Sequence, residues 1–503
     1  MRVARPMSDF YVAARLMPAM FNGMAIAVSF MAVLVFVGLA GGLGPDWRGV
    51  GALLLGGGLG LVVSGVLLAP YLRAFGGYTL PDFLAERFGG DKVRPLAVLA
   101  VLFCSFPALA TVLLGFGVLA AGVFSLPVAV GTAAGAVLIL VGTFLGGMRS
   151  LSLSQIAQYG VLLAVSLAAV MIVLWQAETL LGDSQVLIDE VIPTLGLQDF
   201  AQDDAVNRFA LIFCLAAGTA SLPYLLMRSF TTPTPGQART SFLASVGFAS
   251  VLCLAAPAFA ALFEAAWINS GDSLSMIAEG LLTLAALAGL LAIGGGLALS
   301  IANTLSYDLY FKGVQPTAST GRRIFVARLS VVLVAGVAGL AAVTEPQAIL
   351  TATAAALSLA ASAFLPALVL GVWWKRASAD AALAGMIAGL VVCLYYMIGP
   401  HTIPFAFYES SSFLSNATDA QRAAYEALQQ SYYIADEAAQ TAVLAKWDLA
   451  ARPIANWWGV RGAFAGLFAV PIGFLVMIGV SLFTAAPSAD VQRLVKSLRE
   501  RTV

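Results

Sequence analysis

The chain has 503 residues, 60% of them hydrophobic and 10% charged, with 26 Lys and Arg against 26 Asp and Glu. Water-soluble globular proteins carry about 25% charged residues, so this composition, with a mean hydropathy of +0.93, excludes that class and describes an all-α polytopic membrane protein. The zero net charge says nothing about partners, and no basic run interleaved with aromatics points to nucleic acid. The four cysteines (Cys104, Cys214, Cys253, Cys393) lie in apolar stretches without CxxC spacing and read as small core residues, not as a disulfide framework or metal site.

Residues 1–18 hold Arg2, Arg5, Asp9 and Arg15 and no cleavable leader pattern. About twelve transmembrane helices follow, near 19–43, 49–71, 96–123, 127–148, 155–181, 207–228, 240–267, 276–304, 324–343, 348–373, 381–398 and 462–484, each close to the ~20 residues that a helix needs to cross a bilayer. An even count places both termini on one side. Twenty of the 26 Lys and Arg fall on that side, including Arg73, Arg87, Lys92, Arg94, Lys312 and Lys496, and six on the other. The positive-inside rule therefore predicts cytoplasmic termini in the cell (inner) membrane.

Two long outer loops are expected. The first, 182–206, is acidic. The second, 399–461, contains one or two helices outside the bilayer and the single histidine, His401, which reads as a turn residue because one histidine makes no metal site alone. In the second span, Gly56-Gly57-Gly58-Leu59-Gly60 lacks a preceding strand and the Lys-Ser/Thr of a phosphate loop, so it is read as part of a membrane helix; Gly294-Gly295-Gly296 reads as close helix packing. Pro107 predicts a kink in the third span. Glu264 and Glu279 read as ordinary interfacial residues near outer span ends.

The sixth span is the informative one. Its middle reads Gly218-Thr219-Ala220-Ser221, followed by Pro223. Gly weakens a helix interior, and Pro removes a backbone donor. A helix opened at membrane depth bares N–H and C=O groups that lipid cannot satisfy, so they must face protein, water or a solute. The first ten spans divide into two sets of five, 19–181 and 207–373, the second inserted upside down relative to the first: a 5+5 inverted repeat, the layout of carriers whose solute sits between two broken helices. The first set opens with Phe21-Asn22-Gly23-Met24-Ala25-Ile26-Ala27-Val28-Ser29-Phe30-Met31, and a break is expected near Ser29 as well as near Thr219. The remaining residues, 374–503, supply two peripheral helices, the second long loop and a cytoplasmic tail.

Several stretches resemble the sodium:solute symporter family in its acetate-permease-like branch: Ser8-Asp9-Phe10-Tyr11-Val12-Ala13, Gly77-Tyr78-Thr79-Leu80-Pro81-Asp82-Phe83-Leu84, Gly146-Gly147-Met148-Arg149-Ser150 before Gln155 and Gln158, Leu222-Pro223 with Arg228, and Leu305-Ser306-Tyr307-Asp308-Leu309-Tyr310. The ordered set spans nearly the whole chain. The resemblance implies an amino-acid:sodium symporter-like core, secondary transport of a small organic solute such as the monocarboxylate acetate, and sodium as the usual coupling ion. It also implies an additional helix before the core, which this sequence lacks.

Carried over by that resemblance, sodium-site carbonyls would come from positions Val28, Met31 and Gly289, and hydroxyls from positions Ala292 and Ile293, sixteen and fifteen residues before Asp308. Neither Ala292 nor Ile293 offers a side-chain oxygen, and a site built from carbonyls alone would be weak. The branch also tends to have Asp at Ser29, and His at Tyr224 and Tyr307. Candidate solute contacts are Ser29, Gly218, Thr219, Ala220, Ser221 and Tyr224, with a carboxylate held by hydroxyls and helix N-terminal N–H groups and with no obligatory arginine. Ser300, Asn303 and Thr304 read as helix-packing residues. No catalytic cluster and no cofactor are indicated, and the expected partners are a small-molecule solute and the bilayer. Rival readings are an uncoupled or proton-linked facilitator and a non-transporting sensor or assembly subunit.

Overall fold

Long apolar runs leave a backbone in lipid few ways to pair its own polar groups, and in the computed structural model every regular element among the described residues is helical. The structure describes residues 7–39, 47–89, 92–175, 205–255, 258–259, 273–344, 349–402, 407, 417–436, 439–440, 442–443, 446 and 456–501, with the side chains of 31–39, 47–53, 273–275, 349–353 and 401–402 left undescribed. The acidic loop's charged residues up to Asp204, together with Glu264 and the side chains of Met31 and His401, lie outside that set. Glu279 is exposed, and the four cysteines are buried and form no disulfide among the described residues.

In chain order the helices are α1 (Met7–Val12, prolonged by a tight turn Ala13–Arg15), α2 (Ala19–Leu39), α3 (Trp47–Val63), α4 (Ala69–Phe75), α5 (Leu80–Phe88), α6 (Val93–Phe124), α7 (Val128–Thr143) and α8 (Gly147–Trp175). Then follow α9 (Ala205–Ser221), α10 (Pro223–Leu226, wound tighter over Met227–Thr231), α11 (Pro235–Cys253), α12 (Ser273–Asn303, widened over Thr304–Val314), α13 (Thr320–Thr344) and α14 (Ile349–Trp373). Last come α15 (Ala379–Thr402), α16 (Asp419–Ile434), α17 (Gly466–Phe483) and α18 (Ala489–Glu500). A helix lies over each of the twelve expected stretches. Among the described residues eight are long and apolar enough to cross a membrane, or ten if each of two bent pairs counts as one span.

One bent pair is α9 with α10, turned by 44° at Leu222. The other is not where the sequence suggested. The helix α2 runs unbroken through Ser29, and the chain turns by 104° earlier, between Met7–Arg15 and Ala19–Phe30. The physical difference lies in proline. Small residues around Ser29 permit a break but do not force one, and the Ser29 hydroxyl instead donates back to the carbonyl of Ala25 at 2.8 Å. Pro18, by contrast, restricts the residue before it and stands at the start of α2.

The core is assembled by close helix approach. The helix α2 packs on α11, α8 and α12, while α9 packs on α3 and α14, and α15 pairs with α17 at the periphery. Glycines set the closest contacts. A Cβ at Gly56 would stand 2.7 Å from Leu215 Cβ, and one at Gly60 2.6 Å from Thr219 Cβ, so α3 and α9 meet backbone to backbone. Gly294 and Gly295 accept Ile139 and Leu151 in the same way.

The motif around α5 shows local rules at work. Thr79 caps the helix, its hydroxyl accepting the Asp82 N–H at 3.2 Å, Pro81 sits in the first turn, and Gly89 ends it at φ +89, where a Cβ would be strained. From this rigid turn the buried Arg87 donates to the carbonyls of Gly371 (2.6 Å), Trp374 (2.9 Å) and Ala377 (3.2 Å), capping the last turn of α14 and the loop after it. Burial lowers its pKa to about 10, so it remains cationic at neutral pH. Arg87→Ala is expected to destabilise the protein by about 2–3 kcal/mol, since it strands three carbonyls and opens a cavity. Arg87→Lys should recover only part, because one ammonium cannot span the fork. Thermal unfolding in detergent measures both.

Candidate functional site

The break at Leu222 follows from Pro223. Proline has no N–H, so the carbonyl of Thr219 loses its helical partner, and Leu222 leaves the helix at φ −59, ψ 121. Neighbouring groups cover part of what opens. The Ser64 hydroxyl donates to the Ala220 carbonyl at 3.1 Å from a widened turn at the end of α3, and the Ser221 hydroxyl donates back to Ala217 at 2.7 Å. The Thr219 hydroxyl, fully buried against Gly60, has no hydrogen-bond partner among the described residues.

Beyond the break, α10 and its tight continuation carry Tyr224 and Arg228 under α2. The Tyr224 hydroxyl donates to the Ser29 carbonyl over 3.4 Å, and its ring lies against Gly296 of α12, where a Cβ would meet it at 3.2 Å. The Asn22 amide donates to the Arg228 carbonyl and to the Ser241 hydroxyl, both at 3.1 Å, and accepts from the Thr231 hydroxyl at 3.1 Å, tying α2, α10 and α11 together.

At the centre stands Gln155 of α8, fully buried. Its Nε2 donates to Ser29 Oγ at 2.8 Å and to the Ala292 carbonyl at 2.7 Å, bridging α2 and α12. Its Oε1 accepts from Arg228, whose other terminal nitrogen donates to Ser152 Oγ at 2.6 Å. The Arg228 side chain is buried, and among the described residues every hydrogen-bond partner of its guanidinium is neutral. A buried cation is expensive unless paired. Two acceptors serve two of its five N–H groups, which leaves three N–H groups without an acceptor among the described residues.

Sodium requires several hard oxygens converging on one point. The positions proposed for it by resemblance do not provide them. Val28 lies inside the unbroken α2, where its carbonyl belongs to the helical ladder, and so does the backbone of Met31. Gly289, Ala292 and Ile293 are buried in α12; the latter two have no side-chain oxygen, and the Ala292 carbonyl already accepts the Gln155 amide. The residues present do not fit the ion. Among the described residues no group of three or more His, Cys, Asp or Glu could hold another metal.

Of the residues singled out from the sequence, Ser29, Tyr224 and Ala292 come together around Gln155. Thr219 faces Gly60 of α3, and Gly218 faces Leu357 of α14, where a Cβ would stand 2.7 Å from Leu357 Cβ. Ala220 is buried with its carbonyl taken by Ser64. The structure adds Gln155, Arg228, Ser152 and Asn22. In the sequence Arg228 is the last residue of the expected sixth span, after Leu222-Pro223; its burial in the structure marks it as a functional candidate.

A second polar cluster lies at the far end of α12. The carboxylate of Asp308, fully buried, accepts from Thr79 Oγ1 at 2.6 Å and pairs with Arg94 at 2.6 Å, and Arg94 also reaches Asp82 at 3.1 Å. The Tyr11 hydroxyl of α1 bonds Ser306 Oγ at 3.0 Å beside it. Burial raises the pKa of Asp82, opposed by Arg94 and Lys312.

Comparison with known proteins places these features. A model of the sodium:solute symporter family matches residues 10–272 and 272–389. The chain is 30% identical to an uncharacterized symporter of Cupriavidus necator, over 98% of this chain and 90% of the relative. It is 27% identical to a monocarboxylic acid transporter of Corynebacterium glutamicum, over 77% of this chain and 78% of that one. Its fold is similar to that of a Na+-coupled sialic acid symporter solved in a substrate-bound outward-open state, at TM-score 0.67 and 12% identity over 96% of this chain and 93% of that one. A nucleobase-cation-symport-1 family transporter in a closed conformation aligns at TM-score 0.53 and 15% identity, over 98% and 99%.

Proposed function

This chain belongs to the sodium:solute symporter family, and from that premise we propose that it moves a small monocarboxylate such as acetate by alternating access. It is a multi-pass membrane protein and a secondary transporter, not an enzyme. The proposal adds the twelve-span, 5+5 inverted-repeat layout, an inner-membrane location and cytoplasmic termini, supported by the helix over each expected stretch and by the Lys and Arg bias.

The observation that carries the reading is Arg228. Its guanidinium is buried beside a broken span with only neutral oxygens on it, and a carboxylate would meet it fork to fork. The Thr219 hydroxyl, buried at the same break, has no hydrogen-bond partner among the described residues. A neutral solute would leave the guanidinium uncompensated, which is why an organic anion suits this site better than a sugar. The name of the Corynebacterium relative points the same way.

The test is counterflow in liposomes holding the purified full-length protein. Labelled acetate should accumulate against an internal load of acetate, propionate or pyruvate, and should not accumulate against glucose. Absence of counterflow with every monocarboxylate would remove the reading and favour the sensor or assembly alternative.

A further inference from the structure

The oxygens that face one another between α2 and α12 are already bridged by a side chain. We infer that the Gln155 carboxamide holds the position that a coupling cation would take between these helices, so that this carrier works without sodium. The site rests on geometry alone; the flux through it rests on the carrier reading above.

The orientation of the amide is determined by its surroundings. Arg228 can only donate, so it must face Oε1, and the other end faces two acceptors, Ser29 Oγ and the Ala292 carbonyl, so that end is the NH2 group. Both N–H groups are thereby used, at 2.8 and 2.7 Å, and each goes to an oxygen on a different helix. The NH2 group thus joins α2 to α12 as a small cation would, with two directed bonds in place of a shell of ligands. The guanidinium drawing on Oε1 polarises the amide and makes its nitrogen end more positive. A sodium ion entering there would have to displace the amide, find no hydroxyl on Ala292 or Ile293, and sit one carboxamide away from a fixed positive charge.

The same arrangement explains how an anion is neutralised. In a sodium-coupled carrier the travelling ion can offset the charge of an anionic solute. Here Arg228 offsets it permanently and Gln155 keeps Arg228 in place.

The experiment compares sodium chloride with choline chloride at equal ionic strength, on the purified full-length protein, by melting temperature in detergent and by acetate counterflow in liposomes. The wild type should melt and exchange alike in both salts. Gln155→Ser removes the bridging nitrogen without adding a carboxylate that Arg228 would capture; this variant should melt higher in sodium than in choline and should exchange acetate about tenfold faster in sodium, the size of an ordinary coupling free energy. Should Gln155→Ser not fold, Gln155→Ala takes its place in the same comparison. A wild type that is stabilised or accelerated by sodium overturns the inference, and so does a folded variant indifferent to sodium. If the wild type moves no acetate in either salt yet melts identically in both, the monocarboxylate reading fails while the assignment of Gln155 stands. If it moves acetate only with sodium, the reverse holds.

Discussion

Replacing Arg228 with glutamine is expected to raise the KM for acetate by about 100-fold or more, or to abolish counterflow, while changing the melting temperature by only a few degrees. The two halves of this expectation have separate causes. Losing a fork-to-fork contact with a carboxylate in a dry site removes two charge-assisted hydrogen bonds, each worth about 1.5–3 kcal/mol, and about 1.4 kcal/mol is a tenfold change in affinity. Stability behaves differently because the empty guanidinium is itself a burden. Replacing a buried charge by a neutral side chain of similar volume is often neutral or stabilising. Here that gain offsets the loss of the bonds to Gln155 and Ser152. A purely structural arginine would show the opposite pattern, with melting temperature and flux falling together. Arg228→Lys keeps the charge but presents a point instead of a fork, so an intermediate KM, raised about tenfold, is expected.

The departures from the acetate-permease branch gain meaning from this geometry. Where the branch tends to have Asp, this chain has Ser29, whose hydroxyl receives the same Gln155 amide that Arg228 holds from the other side. An aspartate there would put a carboxylate into the cluster and pair internally with the guanidinium. With serine there, the guanidinium keeps only neutral hydrogen-bond partners among the described residues, as the proposed anion site requires.

How much of this could be read from the sequence depends on the range of the interactions. The break in the sixth span was legible because a proline acts on its own helix: Pro223 strips the donor for Thr219 wherever the helix sits. The expected break near Ser29 was not realised, because glycine, alanine and serine only lower a local barrier, and tertiary packing of α2 on α8, α11 and α12 decides the outcome. The glycine runs were legible as packing surfaces for the same local reason. The bridge from Gln155 to Ser29 spans 126 residues of chain and that to Ala292 spans 137, and no local pattern marks such a pairing. Arg228 looked like the interfacial end of a span; the helix instead continues as a tight turn to Thr231, which carries the charge inward beneath α2.

Arg94→Ala is expected to destabilise the protein by about 3–5 kcal/mol, the usual result of removing one partner from a buried ion pair. Arg94 is shared between Asp308, which is fully buried, and Asp82, so its loss leaves Asp308 with the Thr79 hydroxyl and Asp82 with Lys312 at 4.0 Å. Asp308→Asn alone should be milder, because Thr79 still donates to the amide oxygen and Arg94 keeps Asp82. The double variant Arg94→Gln/Asp308→Asn should recover part of the loss, giving a favourable coupling energy in a double-mutant cycle. The loss in Arg94→Ala should also depend on pH in a definite direction. Burial already holds the Asp82 carboxyl above its ordinary pKa, and Arg94 is the first of the groups pulling it down. Without Arg94 that pKa rises further. A carboxyl whose pKa is higher folded than unfolded stabilises the fold at low pH and loses that contribution as pH rises through the folded value. The melting-temperature deficit of Arg94→Ala relative to wild type should therefore be smallest at acid pH and widen as pH rises. A deficit that is flat with pH, or that shrinks as pH rises, would show that the two carboxylates do not depend on this arginine. The cluster would then no longer serve as the tie between α5, α6 and the end of α12, where α1 also docks.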